Sequence, residues 1–175
     1  IPIKGVLELA MAITEIPDKQ VRLLCVGSSA FSGGKETSYT ERIKALALEH
    51  PNRIIFTGYV NNEELYKYHQ ISDVQVIPSM CEEAAGLVAI EGLCSGVPLI
   101  VTDSGGLVEY INDKCGIVVS RADIVRNLMK AVIQAKTNEE WRTEAALEGS
   151  LHAEKFSEEA FYKNFVSLIS KISPN

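Results

Sequence analysis

Residues 76–91 read V-I-P-S-M-C-E-E-A-A-G-L-V-A-I-E. The apolar residues Val74, Val76 and Ile77 run into Pro78-Ser79, a short polar loop carries Glu82 and Glu83, and Gly86 opens an apolar, helix-patterned segment bearing Glu91. A strand, a loop and a helix start, in that order, aim several unpaired backbone N–H groups at one place, where a phosphate or other anion is favoured. A glutamate in such a loop repels phosphate. It can accept hydrogen bonds from the hydroxyls of whatever carries the phosphate. The spacing therefore points to a ligand that is both a phosphate ester and a polyol. Acidic residues also gather at helix N-termini because the macrodipole favours them, and on this stretch alone that plainer reading stands beside the first.

The rest of the chain repeats the pattern. Upstream, residues 3–16 read as a helix with Val6, Leu7, Leu9, Ala10 and Ile13 on an apolar stripe, ended by Pro17-Asp18, with Lys4-Gly5 at its start. Residues 21–27 form a short buried strand that leads into Gly27-Ser28 and a loop holding Gly33-Gly34. A helix over 40–50 turns Ile43, Leu46 and Leu48 inward and stops at Pro51. Residues 53–60 form the next strand; Asn61 and Glu64 are spaced as a capping box, and a short helix runs to about residue 70. Residues 73–77 are the third strand.

Downstream, the helix after Gly86 ends at Ser95-Gly96, a left-handed stop with Pro98 beyond it. The strand over 98–102 leads to Asp103-Ser104-Gly105-Gly106 and a short helix over 107–112, and residues 116–120 are the last strand. Three helices then fill 122–136, 138–151 and 157–171, with Ser157 as an N-cap and Glu158 and Glu159 in its first turn. Trp141, Phe156, Phe161, Tyr162 and Phe165 read as residues packing these helices onto the sheet.

Short apolar strands alternating with helices of 8–15 residues indicate an α/β fold of the Rossmann-like kind, a parallel sheet with helices on both faces and a helical C-terminal tail. Ligands bind such folds beyond the carboxyl ends of the strands. The loops at 27–28, 58–60, 79–86 and 103–106 all follow strands, so they converge on one edge.

Composition narrows the function. A chain of 175 residues fits one domain with an additional helix, and 46% hydrophobic residues is ordinary for a globular core. A net charge of −6 argues against nucleic acid as a partner. No apolar run reaches the roughly 18–20 residues that span a bilayer, and the N-terminus does not have the pattern of a signal peptide. Cys25, Cys81, Cys94 and Cys115 show no CxxC spacing, and Cys25 and Cys94 lie in apolar segments, which reads as reduced core thiols in a cytoplasmic protein. His50, His69 and His152 are scattered and no metal site is expected.

The run E-E-A-A-G-L-V-A-I-E-G-L-C-S-G-V-P-L-I-V-T-D-S-G-G-L-V-E-Y-I closely resembles the donor-binding signature of family-4 retaining glycosyltransferases (glycosyl transferases group 1), which have the GT-B fold. Glu83 and Glu91 fit that family's Glu-x7-Glu pattern. Lys4-Gly5 resembles the end of its Arg…Lys-Gly element, F-T-G-Y-V-N-N-E-E-L its base-binding loop, and D-V-Q-V-I-P-S the strand leading into the signature.

The resemblance implies the C-terminal, donor-binding half of the GT-B fold, with 1–156 as a nucleotide-sugar-binding Rossmann-like domain and 157–175 as a helix packing back on it or toward an N-terminal domain. In that reading Glu83 accepts hydrogen bonds from the sugar hydroxyls, and the amides of Ala84, Ala85, Gly86 and Leu87 hold sugar and diphosphate. Glu91 binds the ribose diol, Val60 reads the base through its main chain, and Gly105 lines the sugar pocket. Lys4 neutralises the diphosphate and, with Glu83, makes up the catalytic pair. The implied donor is a UDP- or GDP-sugar, no cofactor is required, and the acceptor is a glycan or lipid-linked molecule held by an N-terminal domain. The implied full-length enzyme is cytoplasmic, with peripheral association at the cytoplasmic membrane face, and works in polysaccharide biosynthesis.

Two departures stand out. Ala85 occupies a position where the family often has an aromatic. The phosphate-binding Arg expected shortly before Lys4, and the central strand that carries it, are not among the 175 residues: either they lie upstream or the sheet is an unusual one. In the GT-B fold the acceptor site and part of the cleft come from an N-terminal domain, so this portion alone is expected to bind donor without transferring sugar.

Plainer readings keep Lys4 as a solvated helix-start residue and Glu91 as a helix-surface carboxylate. A nucleotide-sugar 2-epimerase and a stand-alone nucleotide-sugar-binding module are the alternative functions. A glycoside hydrolase fits poorly: on one continuous helix Glu83 and Glu91 would stand roughly 12 Å apart along the axis, against the roughly 5–9.5 Å of hydrolase pairs.

Overall fold

The computed structural model describes residues 2–27 and 37–172. The Gly33-Gly34 loop and Ser28 lie outside the described residues. Among the described residues there are five strands: β1 (Leu23–Val26), β2 (Ile54–Gly58), β3 (Gln75–Ile77), β4 (Leu99–Thr102) and β5 (Gly116–Val119). The described residues also form seven α-helices: α1 (Val6–Glu15), α2 (Ser38–Glu49), α3 (Leu65–Gln70), α4 (Leu87–Cys94), α5 (Ile124–Thr137), α6 (Glu139–Ala153) and α7 (Glu158–Ile172).

All strand pairing between them is parallel. It forms two ladders, β1–β2 and β3–β4–β5, where the alternation of strands and helices had suggested one sheet. Both ladders border the same core cluster: Leu23 of β1 and Val76 of β3 pack against Leu9, Ile13 and Ile16 of the α1 region and Leu128 and Val132 of α5. The two ladders do not pair with each other, and the family resemblance expects a further strand, central in the sheet.

β4 shows why this is a two-faced layer. All four of its residues are fully buried, and successive side chains point to opposite faces. Ile100 joins the α1–α5 cluster, while Leu99 and Val101 join a second cluster with Ala89 and Leu93 of α4 and Leu107.

Arg53 ties the β1–β2 ladder to α1. It is buried, and its guanidinium donates to the carbonyls of Val21 (3.3 Å), Ile16 (3.0 Å) and Ile13. The Ile13 and Ile16 carbonyls sit at the C-terminal end of α1, where a cation also meets the negative end of the helix dipole.

Several local expectations need correction. The first helix does not run through residues 3–16: a 3-10 turn over Pro2–Lys4 is separated from α1 by Gly5, at φ +63°. Thr37 with Thr40, rather than Asn61 with Glu64, forms a capping box. Asn61 makes no side-chain cap, and Glu64 pairs instead with Lys67 at 2.9 Å. Leu48 is 82% exposed, because α2 buries only the line through Ile43. Of the cysteines, Cys115 is buried and Cys25 partly so, its thiol pushed up to about 11 by desolvation, whereas Cys94 is exposed. All four are free thiols.

The C-terminal aromatics divide. Trp141 packs on the α1–α5 core and Phe156 meets Tyr110 at a tilt of 59°, with 5.1 Å between ring centroids. Phe161, Tyr162 and Phe165 do not pack on the sheet. They are exposed along α7 with Val166, Leu168, Ile169 and Ile172, so this helix presents an apolar side to its surroundings.

Candidate donor-binding site

The site is built where Pro2–Lys4 crosses the end of β3. The Met80 amide donates to the Ile3 carbonyl at 2.8 Å. Gly5 lies so close to Pro78 that a Cβ at this position would stand 1.9 Å from the Pro78 carbonyl oxygen. This approach demands glycine twice, once for space and once for the left-handed backbone.

The crossing places Lys4 beside the loop after β3. Its Nζ lies 2.5 Å from Glu83 Oε1, bringing together the two residues that the family resemblance pairs, 79 positions apart in the chain. Ser79 Oγ donates to the same oxygen, and Cys81 Sγ approaches it at 3.9 Å. The lysine and serine hydrogen bonds hold the Glu83 carboxyl below the ordinary glutamate range, against the opposing effect of its partial burial. Glu83 is 16% exposed and Lys4 46% exposed, so the pair forms a wall that is open on the lysine side.

Neighbouring loops hold this one in shape. Thr102 Oγ1 donates to the Ser79 carbonyl at 2.6 Å, and Ser104 Oγ to the Cys81 carbonyl. The Gly106 amide donates to the Glu83 carbonyl at 2.7 Å. Gly105, at φ +52°, is pressed against the same peptide: an added Cβ would stand 2.6 Å from the Glu83 oxygen and 2.8 Å from its nitrogen.

Ala84 and Ala85 are exposed, Gly86 is buried, and Leu87 begins α4 without a side-chain cap. The first amides of the helix are therefore open to an incoming acceptor. Small residues here leave the space in front of the helix unblocked by side chains.

Glu83 lies in the loop and α4 starts only at Leu87, so the two glutamates do not share one continuous helix and the axial spacing estimate does not apply to them. Glu91 is exposed on α4 and Val60 lies just beyond β2. Among the described residues neither is hydrogen-bonded to the Lys4–Glu83 network.

Three supporting residues have no motif in the sequence that marks them. Ser79 was visible as a strand-end residue but carried no role. Thr102 holds the Ser79 carbonyl from the end of β4. Arg121 follows β5 at the same edge as the other loops, and that position was the available signal. Its backbone N–H and Nε donate to Asp103 Oδ1 at 2.9 and 3.1 Å, and its Nη2 to Glu82 Oε1 at 2.6 Å. Desolvation opposes ionisation of Asp103, but the Arg121 hydrogen bonds outweigh it and hold that carboxyl low.

A separate open concavity lined by Asn112, Lys114, Glu148 and His152 lies around the turn leading into β5, on the opposite side of the strands from these loops. Among the described residues no group of three His, Cys, Asp or Glu side chains is placed to hold a metal ion, and no helix is long and apolar enough to cross a membrane.

With this geometry in hand, comparison with known proteins is decisive at one point: residues 2–149 match the family described as glycosyl transferases group 1. The chain belongs to that family. It is similar to the lipopolysaccharide 1,2-N-acetylglucosaminetransferase of Salmonella typhimurium, 27% identical over 115 residues, which cover 64% of this chain and 30% of the relative. Among solved structures it is similar to sucrose-phosphate synthase from Thermosynechococcus elongatus, with a TM-score of 0.82 and 28% identity over 98% of this chain and 43% of that one. Anabaena HepE, solved in complex with UDP-glucose, shares the fold at a TM-score of 0.82 and 18% identity, covering 98% of this chain and 46% of HepE. The group 1 chain thus spans about a third of the curated relative and less than half of the solved chains. The two-ladder α/β layer with its helices is the corresponding portion of a GT-B glycosyltransferase fold.

Proposed function

We propose that this chain is the nucleotide-sugar donor-binding portion of a retaining group 1 glycosyltransferase. The observation that carries the reading is the Lys4–Glu83 pair, closed at 2.5 Å in front of the uncapped start of α4. A cation and helix amides facing one space suit a diphosphate. A carboxylate with one oxygen engaged by Lys4 and Ser79 keeps its other oxygen for hydroxyls of the sugar.

In this arrangement the amides of Ala84 to Leu87 take the diphosphate, Lys4 stabilises the charge that grows on it as the glycosidic bond breaks, and Glu83 orients the sugar. Glu91 accepts from the ribose hydroxyls and the main chain at Val60 meets the base. Gly105 closes the pocket behind the sugar, and the small Ala85 leaves that pocket wide. The acceptor oxygen forms its new bond on the face from which the diphosphate departs, which retains the anomeric configuration. A UDP-sugar is the first choice of donor, supported by the UDP-glucose complex of the HepE neighbour.

The acceptor, a glycan or lipid-linked molecule, belongs to the remainder of a longer protein working on the cytoplasmic side, peripherally at the membrane face. The same remainder supplies the central strand of the sheet and covers the apolar side of α7. The half-exposed strands β1 and β3 and the exposed row from Phe161 to Ile172 support this. Residues 1–156 are the donor domain, and 157–175 the C-terminal segment that packs back on it or toward an N-terminal domain.

Calorimetric titration with a panel of UDP-, GDP- and ADP-sugars tests the reading. One donor is expected to bind, and Glu91→Ala is expected to weaken it about tenfold, in line with loss of a charge-assisted hydrogen bond of roughly 1.5 kcal/mol. A folded protein that binds none of the panel is not a donor-binding domain.

A further inference from the structure

Arg121 is a residue to which neither the family pattern nor the donor reading assigns a role. It is the point where three strand-end loops meet. Its own backbone belongs to the loop after β5, its Nε and amide hold Asp103 after β4, and its Nη2 holds Glu82 after β3. Isolated surface ion pairs contribute little. This one differs in having three bonds to two loops, with one acceptor oxygen fixed by both the main chain and the side chain of the same residue. Arg121 is also the less exposed partner, at 30% against 69% for Glu82 and 46% for Asp103.

What it holds lies against the donor wall. The Glu82 carboxylate reaches over Gly105, where an added Cβ would meet Oε2 at 3.1 Å, and Gly105 packs on the Glu83 peptide. Glu82 is two residues from the first of the open amides. Three carboxylates, Glu82, Glu83 and Asp103, face two cations, Lys4 and Arg121, across these contacts. One negative charge is therefore in excess, and without Arg121 there would be two. Over distances within the roughly 8–10 Å screening length, that difference acts directly on an incoming diphosphate.

We infer that Arg121 is a positioning residue for donor binding: by holding Glu82 against Asp103 it keeps the Glu82 carboxylate out of the diphosphate space and fixes the loop that carries Glu83. This rests on the donor-binding reading above. Arg121 does not touch the donor in this account. It acts through Glu82.

The test uses the 175-residue chain and the UDP-sugar that binds best in the panel, with melting curves to confirm folding. Arg121→Ala is expected to weaken both the UDP-sugar and UDP by about three- to tenfold. Glu82→Gln alone is expected to change affinity less than twofold. The Arg121→Ala, Glu82→Gln double variant is expected to recover affinity to within about twofold of wild type, because the charge that Arg121 restrained is gone. Arg121→Lys, which keeps the charge but not the forked geometry, is expected to fall between wild type and Arg121→Ala.

Full affinity in folded Arg121→Ala overturns the inference and leaves the donor reading intact. So does a loss that Glu82→Gln fails to relieve, since that result places Arg121 directly on the phosphate. Wild-type protein that binds no nucleotide sugar overturns both.

Discussion

Replacing Gly5 with alanine is expected to destabilise the domain by about 2–5 kcal/mol and to displace Lys4 from Glu83. Two costs combine. At φ +63° an L-residue loses about 1–2 kcal/mol relative to glycine. The new Cβ would stand 1.9 Å from the Pro78 carbonyl oxygen, so backbone must move, and overpacking of this kind costs about 1–3 kcal/mol. Gly58→Ala separates the two costs: its φ is +74°, but no heavy atom lies within 4 Å of an added Cβ, so it should show only the smaller conformational cost. Denaturant unfolding of both variants measures the difference. Gly5→Ala no less stable than Gly58→Ala would mean that the contact with Pro78 is not a tight one in solution. Because the movement opens the Ile3–Met80 hydrogen bond beside Lys4, donor affinity is expected to fall along with stability.

Glu83→Ala should separate the sugar from the nucleotide. Affinity for the UDP-sugar is expected to drop about 10- to 100-fold, equivalent to the roughly 1.5–3 kcal/mol of hydrogen bonds to a charged group. Affinity for UDP is expected to hold or rise slightly, since Lys4 is released from its carboxylate partner and remains available to the diphosphate. Equal loss for both ligands would show that Glu83 works on the phosphate side of the site through Lys4. The pH dependence has a definite sign. The Glu83 carboxyl is lowered in the folded protein by Lys4 and Ser79, so its contribution to stability is fully present above its unfolded value and is lost as pH falls through the folded one. The difference between wild type and Glu83→Ala in UDP-sugar binding should therefore persist below the pH at which a free glutamate protonates.

These two residues also mark how far the sequence could be read. Glu83, Glu91, Lys4 and the glycine-bearing loops could be picked out because strand-end position and residue type already carry the chemistry in a parallel α/β layer. The helix after Gly86 and its left-handed stop at Gly96, at φ +69°, follow from local periodicity and from glycine's freedom. The fold departs from local pattern where a residue's conformation depends on what lies across the fold. A run over residues 3–16 has a continuous helical stripe, and nothing within it announces that Pro78 will approach Gly5. Asn61 and Glu64 have capping-box spacing, but Lys67 took the glutamate. The aromatics of α7 have core composition, and their exposure depends on what packs there rather than on the helix itself.

The amino-acid sequence by itself determined the order of strands and helices, the parallel α/β class and the edge at which the site forms. All of these depend on side-chain periodicity and turn residues within a few positions of one another. Only the tertiary structure decided that Lys4 meets Glu83 across 79 residues, that Arg121 draws Glu82 to Asp103, and that the strands form two ladders. Those outcomes depend on which distant backbones come within hydrogen-bonding reach, and that is set by packing on the shared core.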